Sequence, residues 1–231
     1  MRYFIADLHI GHENVAKRRF GPDLNIGEAS ALQTEMIFDL IAALTKKDDL
    51  WILGDLTNGS RADEKILLRM LAELKASKQG PGSLHLIAGN HDSVSPIHRR
   101  SHNKQKEFLE VFDSVQHFAK LTFNKQEVML CHFPYANLGD GPGRSYPGRY
   151  NEHRLPNKGL PLIHGHTHQS TPHTRTRTFF PQGFLKLQTG VDYNQYCVSF
   201  DVHYDLVSDV DIEQWLERRK HLRPLNFHVD N

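Results

Sequence analysis

Short apolar runs alternate with longer amphipathic stretches through the first part of the chain. Tyr3 to Ala6, Leu50 to Leu53 and Leu84 to Ala88 are too short for helices and apolar at nearly every position, which predicts strands buried on both faces. Between the first two runs, Leu32, Met36, Ile37, Leu40, Ile41 and Leu44 recur at spacings of three and four. Between the second and third, Ile66, Leu67, Met70, Leu71 and Leu74 do the same. That periodicity predicts two helices, each with one apolar face. Strand, helix, strand, helix, strand is the pattern of a parallel sheet with right-handed crossovers.

From Val115 onward the runs crowd together, and Val128 to Cys131 and Leu160 to Ile163 predict further strands. This half is expected to be a more antiparallel sheet packed on the first, giving a two-sheet α/β sandwich flanked by helices. Phe133 to Gly159 and Gln169 to Gly183 are rich in Gly, Pro, Arg and His and are expected to be loops. Loops of that length in a compact domain often serve as lids or binding walls. Asp209 through Trp215 to Arg219 predicts a short terminal helix followed by a loose tail.

The chain's 231 residues are expected to form one domain, 1–231. An apolar share of 39% and a charged share of 24%, with no long uninterrupted apolar run, predict a soluble protein without a membrane span. Charge interrupts the N-terminal segment too early for a signal-peptide core, so a cytoplasmic location is expected. Cys131 and Cys197 are too few for a disulfide framework and are expected to be buried free thiols. A net charge of +1 announces no basic surface for nucleic acid or lipid. The sixteen histidines do change the picture, because imidazole is a common metal ligand.

Each predicted strand is followed by residues of that chemistry: Asp7 and His9, then Asp55, then Asn90 with His91 and Asp92, then His132, then His166 with His168. In open α/β sheets side chains converge at the carboxyl ends of strands. Oxygen and imidazole donors without a thiolate suit Mn²⁺, Fe²⁺ or Zn²⁺. The donors exceed what one ion needs, and a carboxylate such as Asp55 can bridge two ions roughly 3.5–4 Å apart. Ligands two residues apart, as in Asp7-Leu8-His9 and His166-Thr167-His168, project to one side of an extended segment. Gly54, Gly89 and Gly165 allow the chain to pass close to the ions. A lone Asp-x-His, a Gly-Asp pair or a single histidine after a strand is commonly structural. Five such blocks in order, each on a strand end, point to a dinuclear metal site.

These blocks resemble the signature of the calcineurin-like metallophosphoesterases, D-x-H, G-D, G-N-H-[DE], H and G-H-x-H, from Asp7 to His168. The resemblance implies the metallophosphoesterase fold, a four-layer α/β/β/α sandwich of two mixed β-sheets flanked by helices. It also implies two divalent cations, Mn²⁺ foremost with Fe²⁺, Zn²⁺ or Ni²⁺ as alternatives. Asp7, His9 and His168 would hold the first, and Asn90, His132 and His166 the second, with Asp55 bridging. A bridging hydroxide would attack phosphorus in line, His91 would protonate the departing oxygen, and Asp92 would orient His91.

The superfamily does not fix the substrate. After Gly54-Asp55 the chain reads Leu56-Thr57-Asn58-Gly59 where protein phosphatases carry an Arg-Gly pair, so phosphoproteins are not expected substrates. The stretches Asp7 to Asn14 and Thr189 to Asn194 look similar to a small bacterial and phage branch. The leading expectation is a phosphodiesterase for small nucleotides, including cyclic and 2′,3′-cyclic ones, with His12, Arg144, Arg149 and Arg154 as substrate-binding residues and Arg175 and Arg177 as further candidates. One alternative is a nuclease or RNA-end-processing enzyme in which Tyr135, Tyr146 or Tyr150 stacks on bases; a phosphomonoesterase is another. A protein-binding scaffold of the same fold would be expected to have lost ligands, whereas this sequence has every one.

Overall fold

The computed structural model describes residues 1–137, 139–140, 148–178 and 188–221; for 174–178 and 188–191 it gives the backbone alone. In chain order the elements begin with β1 (Arg2–Ile5), α1 (Glu13–Phe20), α2 (Ile26–Ala42), β2 (Asp49–Ile52), α3 (Arg61–Ala76) and β3 (Ser83–Ile87). They continue with α4 (Gln105–Leu109), β4 (Ser114–Gln116), β5 (Phe118–Phe123), β6 (Gln126–Cys131) and β7 (Leu162–His164). The last are β8 (His173–Thr178), β9 (Gln188–Cys197), α5 (Phe200–His203), β10 (Val207–Ser208) and α6 (Asp209–His221).

Two mixed five-stranded sheets form the body. One has the order β10-β1-β2-β3-β4, parallel except for β10, and the other has the order β5-β6-β7-β9-β8. In the second sheet β6, β7 and β9 run parallel, and antiparallel strands lie at both edges. Pleat alternation divides the apolar strand residues between two cores. Ile5, Leu50, Ile52, Leu84 and Leu86 face α2, α3 and α4 through Ile37, Ile41, Leu67, Leu71 and Phe108. Phe4, Trp51, Leu53 and Ile87 face the second sheet through Phe123, Val128, Leu130 and Ile163, and α6 adds Trp215 and Leu216 to this layer. Consecutive apolar positions in β1 to β3 thus serve two different cores, which is why those runs read as unbroken.

The helix ends follow from capping chemistry. Asn25 accepts from the Glu28 N–H while Glu28 accepts from the Asn25 N–H, a reciprocal capping box at the start of α2. Ser60 caps α3 through the Asp63 N–H.

One expectation needs correcting. The stretch Gln169 to Gly183 is not wholly loop, because β8 occupies His173–Thr178 and pairs antiparallel with β9. Its sequence alternates threonine with histidine and arginine, so it lacks an apolar face while keeping the β-branched residues that favour strands. Cys131 and Cys197 are free and buried, as expected. Among the described residues no helix is long and apolar enough to cross a membrane.

Candidate metal centre and its cleft

The loops leaving β1, β2, β3, β6 and β7 meet at one end of the two sheets. Backbone hydrogen bonds lock them together: the Asp7 N–H donates to Gly54 O at 2.9 Å, the His9 N–H to Asp55 O at 3.0 Å, and the Gly165 N–H to His132 O at 3.0 Å. Glycine is required where these loops touch. A Cβ on Gly54, whose φ is +83°, would lie 2.5 Å from Gly89 N, and a Cβ on Gly89 would lie 2.4 Å from an Asp55 oxygen.

Asp7, His9, Asp55, His166 and His168 all have positive φ, between 43° and 69°. The left-handed region costs a non-glycine residue about 1–2 kcal/mol. Such strain persists where the surroundings over-determine a conformation, and it concentrates at functional sites. It turns these side chains out of the strand alternation and toward a common point.

The convergence is close. His9 Nε2 and His168 Nε2 face each other at 3.0 Å, and Asp55 Oδ2 is 3.6 Å from the former. On the other side Asn90 Oδ1 lies 2.8 Å from His166 Nδ1 and 3.2 Å from His132 Nε2, which is 3.4 Å from Asp55 Oδ1. Asp55 therefore presents one oxygen to each half. Asp7, His9 and His168 form one group able to hold a cation, and Asp55, His132 and His166 form another. A third grouping joins His9 and Asp55 to His91.

The donor set fits divalent cations on chemical grounds. His168 Nδ1–H donates to Asp201 Oδ2 at 2.7 Å, so in the neutral ring Nε2 is a bare lone pair aimed at another imidazole nitrogen. His132 Nδ1–H donates to Leu53 O at 2.7 Å and leaves its Nε2 facing two acceptors. Lone pairs about 3 Å apart around a common point are what ligands with metal–nitrogen bonds of about 2.0–2.1 Å require. Burial lowers His9 and His166 well below the usual histidine range and keeps both neutral, the form that binds metal. Burial also opposes charge on His132, but the Asp55 carboxylate outweighs it and lifts that ring to about 9. The side chains of His9, Asp55, His132 and His166 are all nearly inaccessible to solvent.

Partners behind these residues went unread in the sequence. Arg19, on α1, donates to Asp201 at 2.6 Å and to Asp7 O at 2.6 Å, and reaches the buried Gln33, which itself donates to His9 O at 2.8 Å. Asp201 thus joins α1 to His168. Such a carboxylate behind a ligating histidine fixes its tautomer and orientation. Asp201→Asn is expected to weaken Mn²⁺ binding by about 10–100-fold, measured by competition with a chromophoric chelator; unchanged affinity would deny Asp201 that role. Burial would raise the Asp201 carboxyl, but the hydrogen bonds from His168 and Arg19 hold it far below the ordinary value. With its folded pKa depressed, Asp201 stabilises fully above the unfolded value of about 3.9 and loses that contribution as pH falls further.

Asp92 is not positioned to orient His91. Its carboxylate accepts the N–H groups of Gly89 at 2.7 Å, Leu56 at 2.9 Å and Asp55 at 3.1 Å, tying the β2 and β3 loops together. Burial, reinforced by Asp55, pushes its pKa up to about 7 against those donors. His91 instead directs Nδ1 to the carbonyl of Asn58 at 3.2 Å, and its N–H donates to Asp55 Oδ1 at 2.8 Å. The short side chain of Asp92 is consumed by backbone N–H groups of its own turn and of the β2 loop.

A cleft of about 290 Å³ opens over the centre, lined by His9, Asp55, Asn90, His91, His166 and His168 and walled by His12, Arg18 and Arg149. Of the residues expected to bind substrate, His12 and Arg149 line this cleft, and Arg18 joins them. Arg154 does not. Its guanidinium is buried, pairs with Asp140, and donates to the carbonyls of Gly139 at 3.3 Å and Arg149 at 2.7 Å, so it holds the loop rather than facing the cleft. Asp140 in turn accepts from the Arg149 N–H at 3.1 Å and lies 3.9 Å from His166 Nε2. Arg144 lies outside the described residues; Arg175 and Arg177 are on β8. Tyr146 is also outside them, and Tyr135 is buried with its hydroxyl donating to Leu160 O at 2.9 Å, which removes it as a stacking surface. Tyr150 is exposed, its ring 6.0 Å from that of His166.

Residues 3–170 match the family model of the calcineurin-like phosphoesterases. The chain belongs to this family. Membership makes it a hydrolase of phosphoesters with a candidate cation-binding cluster at Asp55, His132 and His166. This phosphoesterase is 30% identical over 220 residues to the Gene 66 protein of Mycobacterium phage L5, covering 92% of the chain and 96% of the relative. It is likewise 30% identical to the Gene 66 protein of Mycobacterium phage D29 over 216 residues, covering 90% and 96%. A solved structure of a protein of unknown function from Aquifex aeolicus has the same fold, with a TM-score of 0.57 at 21% identity, over 93% of the phosphoesterase and 98% of that protein.

Proposed function

We propose that the protein is a dinuclear-metal phosphodiesterase acting on nucleotides. The observation that carries this reading is the division of Asp55 between two donor groups, with His91 at the edge of both the metal cleft and a neighbouring cavity. Phosphorus bound over the centre has space on either side for an ester substituent, which a phosphomonoesterase does not need.

Divalent cations, when bound by Asp7, His9 and His168 and by Asn90, His132 and His166 with Asp55 between, supply Lewis-acid polarisation and charge neutralisation. The chain supplies the rest. His91 is partly exposed, with 34% of its side chain open to solvent, and Asn58 O accepts from Nδ1–H, so it is the doubly protonated imidazolium that carries a second proton, on Nε2, to pass to the departing oxygen. Arg149, braced by Asp140, and Arg18 and His12 across the cleft offer donors to the non-bridging phosphoryl oxygens. The buried carboxylate of Asp92 fixes the loops that carry Asp55 and His91.

Small nucleotide diesters, cyclic nucleotides and 2′,3′-cyclic ones among them, fit a cleft of this volume. The exposed Tyr150 and the basic stretch from His98 to Lys106 favour linear nucleic acid as the second reading. Metal-stripped protein reloaded with Mn²⁺ should hydrolyse bis-p-nitrophenyl phosphate at least about tenfold more efficiently than p-nitrophenyl phosphate, a margin worth about 1.4 kcal/mol of barrier. Preference for the monoester would replace this reading with a phosphatase.

A further inference from the structure

Beside the metal cleft lies a second cavity of about 410 Å³, lined by Gly59, Asn90, His91, Ser93, His98, Arg100 and Lys104. Asn90 and His91 border both cavities, so the two adjoin at the residue placed to face the departing oxygen. The segment forming the outer wall, His98 to Lys106, carries His98, Arg99, Arg100, His102, Lys104 and Lys106 and no acidic residue. It is tied to the centre, because His98 Nε2–H donates to the backbone carbonyl of Asn90 at 3.0 Å.

The neighbouring carboxylates are already engaged. Glu64 accepts the Ser93 N–H at 2.9 Å and pairs with Arg61, and Arg61 also pairs with Glu107. Among the described residues, Arg100 and Lys104 therefore line this cavity without an ion-pair partner. A net positive, solvent-open wall at fixed distance from a phosphoester centre suits a second phosphate, with the arginine fork and lysine ammonium as donors.

We propose that this cavity is a subsite for an additional phosphate on the departing nucleoside, which selects, among the nucleotide diesters considered above, short linear ones that carry that phosphate over cyclic ones. The inference rests on the phosphodiesterase reading, with His91 on the leaving-group side. What leaves past His91 enters the second cavity, where a phosphate one nucleoside away meets Arg100 and Lys104. A leaving group without that phosphate gains nothing there.

The test uses the Mn²⁺-loaded full chain with TpT, TpTp and pTpT, and product analysis shows which nucleoside departs. The dinucleotide whose extra phosphate sits on the departing nucleoside should exceed TpT in kcat/KM by about tenfold or more, the scale of a charge-assisted contact. In Arg100→Gln/Lys104→Gln protein that ratio should fall toward one. The ratio is taken within each protein, so altered folding or metal content cancels, and the exposed Arg100→Gln single variant provides a milder second point. A wild-type ratio near one, or a ratio that survives both substitutions, overturns the subsite and leaves the phosphodiesterase reading standing. Cleavage of bis-p-nitrophenyl phosphate without any dithymidylate has the same meaning. Failure to cleave any diester, bis-p-nitrophenyl phosphate included, overturns the phosphodiesterase reading and the subsite with it.

Discussion

Asp55→Asn is expected to lower kcat/KM for a phosphodiester by at least about 10³-fold and to reduce bound Mn²⁺ from two equivalents to one or fewer. Each Asp55 oxygen faces a different donor group, 3.6 Å from His9 Nε2 and 3.4 Å from His132 Nε2. An amide supplies only one oxygen and no charge, so one half of the centre loses its anionic donor. The loss should also be visible without substrate. Burial opposes ionisation of Asp55, yet the surrounding histidines, His132 foremost, hold its carboxyl well below the usual range. Turnover and metal content together, the latter by elemental analysis of gel-filtered protein, separate this outcome from a folding defect. Two bound equivalents and full turnover in the variant would remove Asp55 from the bridging position.

His91→Gln gives the complementary pattern. Turnover should fall by about 10²–10⁴-fold, the range for a general acid, while two equivalents of metal remain bound. The effect should shrink with leaving groups that need no proton, such as nitrophenolate, and be largest with an alkoxide leaving group. The distinction matters because His91 also lies close enough to His9 and Asp55 to be considered a ligand. Its Nε2 stands 4.0 Å from Asp55 Oδ2, and about a third of the side chain is open to the cleft, unlike the buried histidines. Loss of one metal equivalent in His91→Gln would make it a ligand instead of the acid.

Much of this architecture is legible in the chain because two signals agree at each step. The runs at Tyr3, Leu50 and Leu84 are apolar at nearly every pleat position because one face meets helices and the other meets the second sheet. The polar residues that end them then have only the sheet edge to occupy. The gathering of Asp7, His9, Asp55, Asn90, His132, His166 and His168 was readable for that reason. β8 was not, since its Thr-Arg alternation offers no apolar face. Neither was Asp201, which reaches His168 only because α5 follows β9 directly. Arg19 sits on a short helix whose buried residues, Val15 and Ala16, are too few to make a stripe. Asp92 and Arg154 show the limit of transferring roles by motif or charge: each is spent on backbone groups that no linear pattern displays.

The most direct measurement of the central claim is a titration of metal-stripped protein with Mn²⁺, following bis-p-nitrophenyl phosphate hydrolysis at each addition. Activity should be negligible in excess chelator and should rise to saturate at two equivalents per chain. Hydrolysis undiminished by chelator, or saturation at one equivalent, would contradict a centre built on a carboxylate shared between two cations.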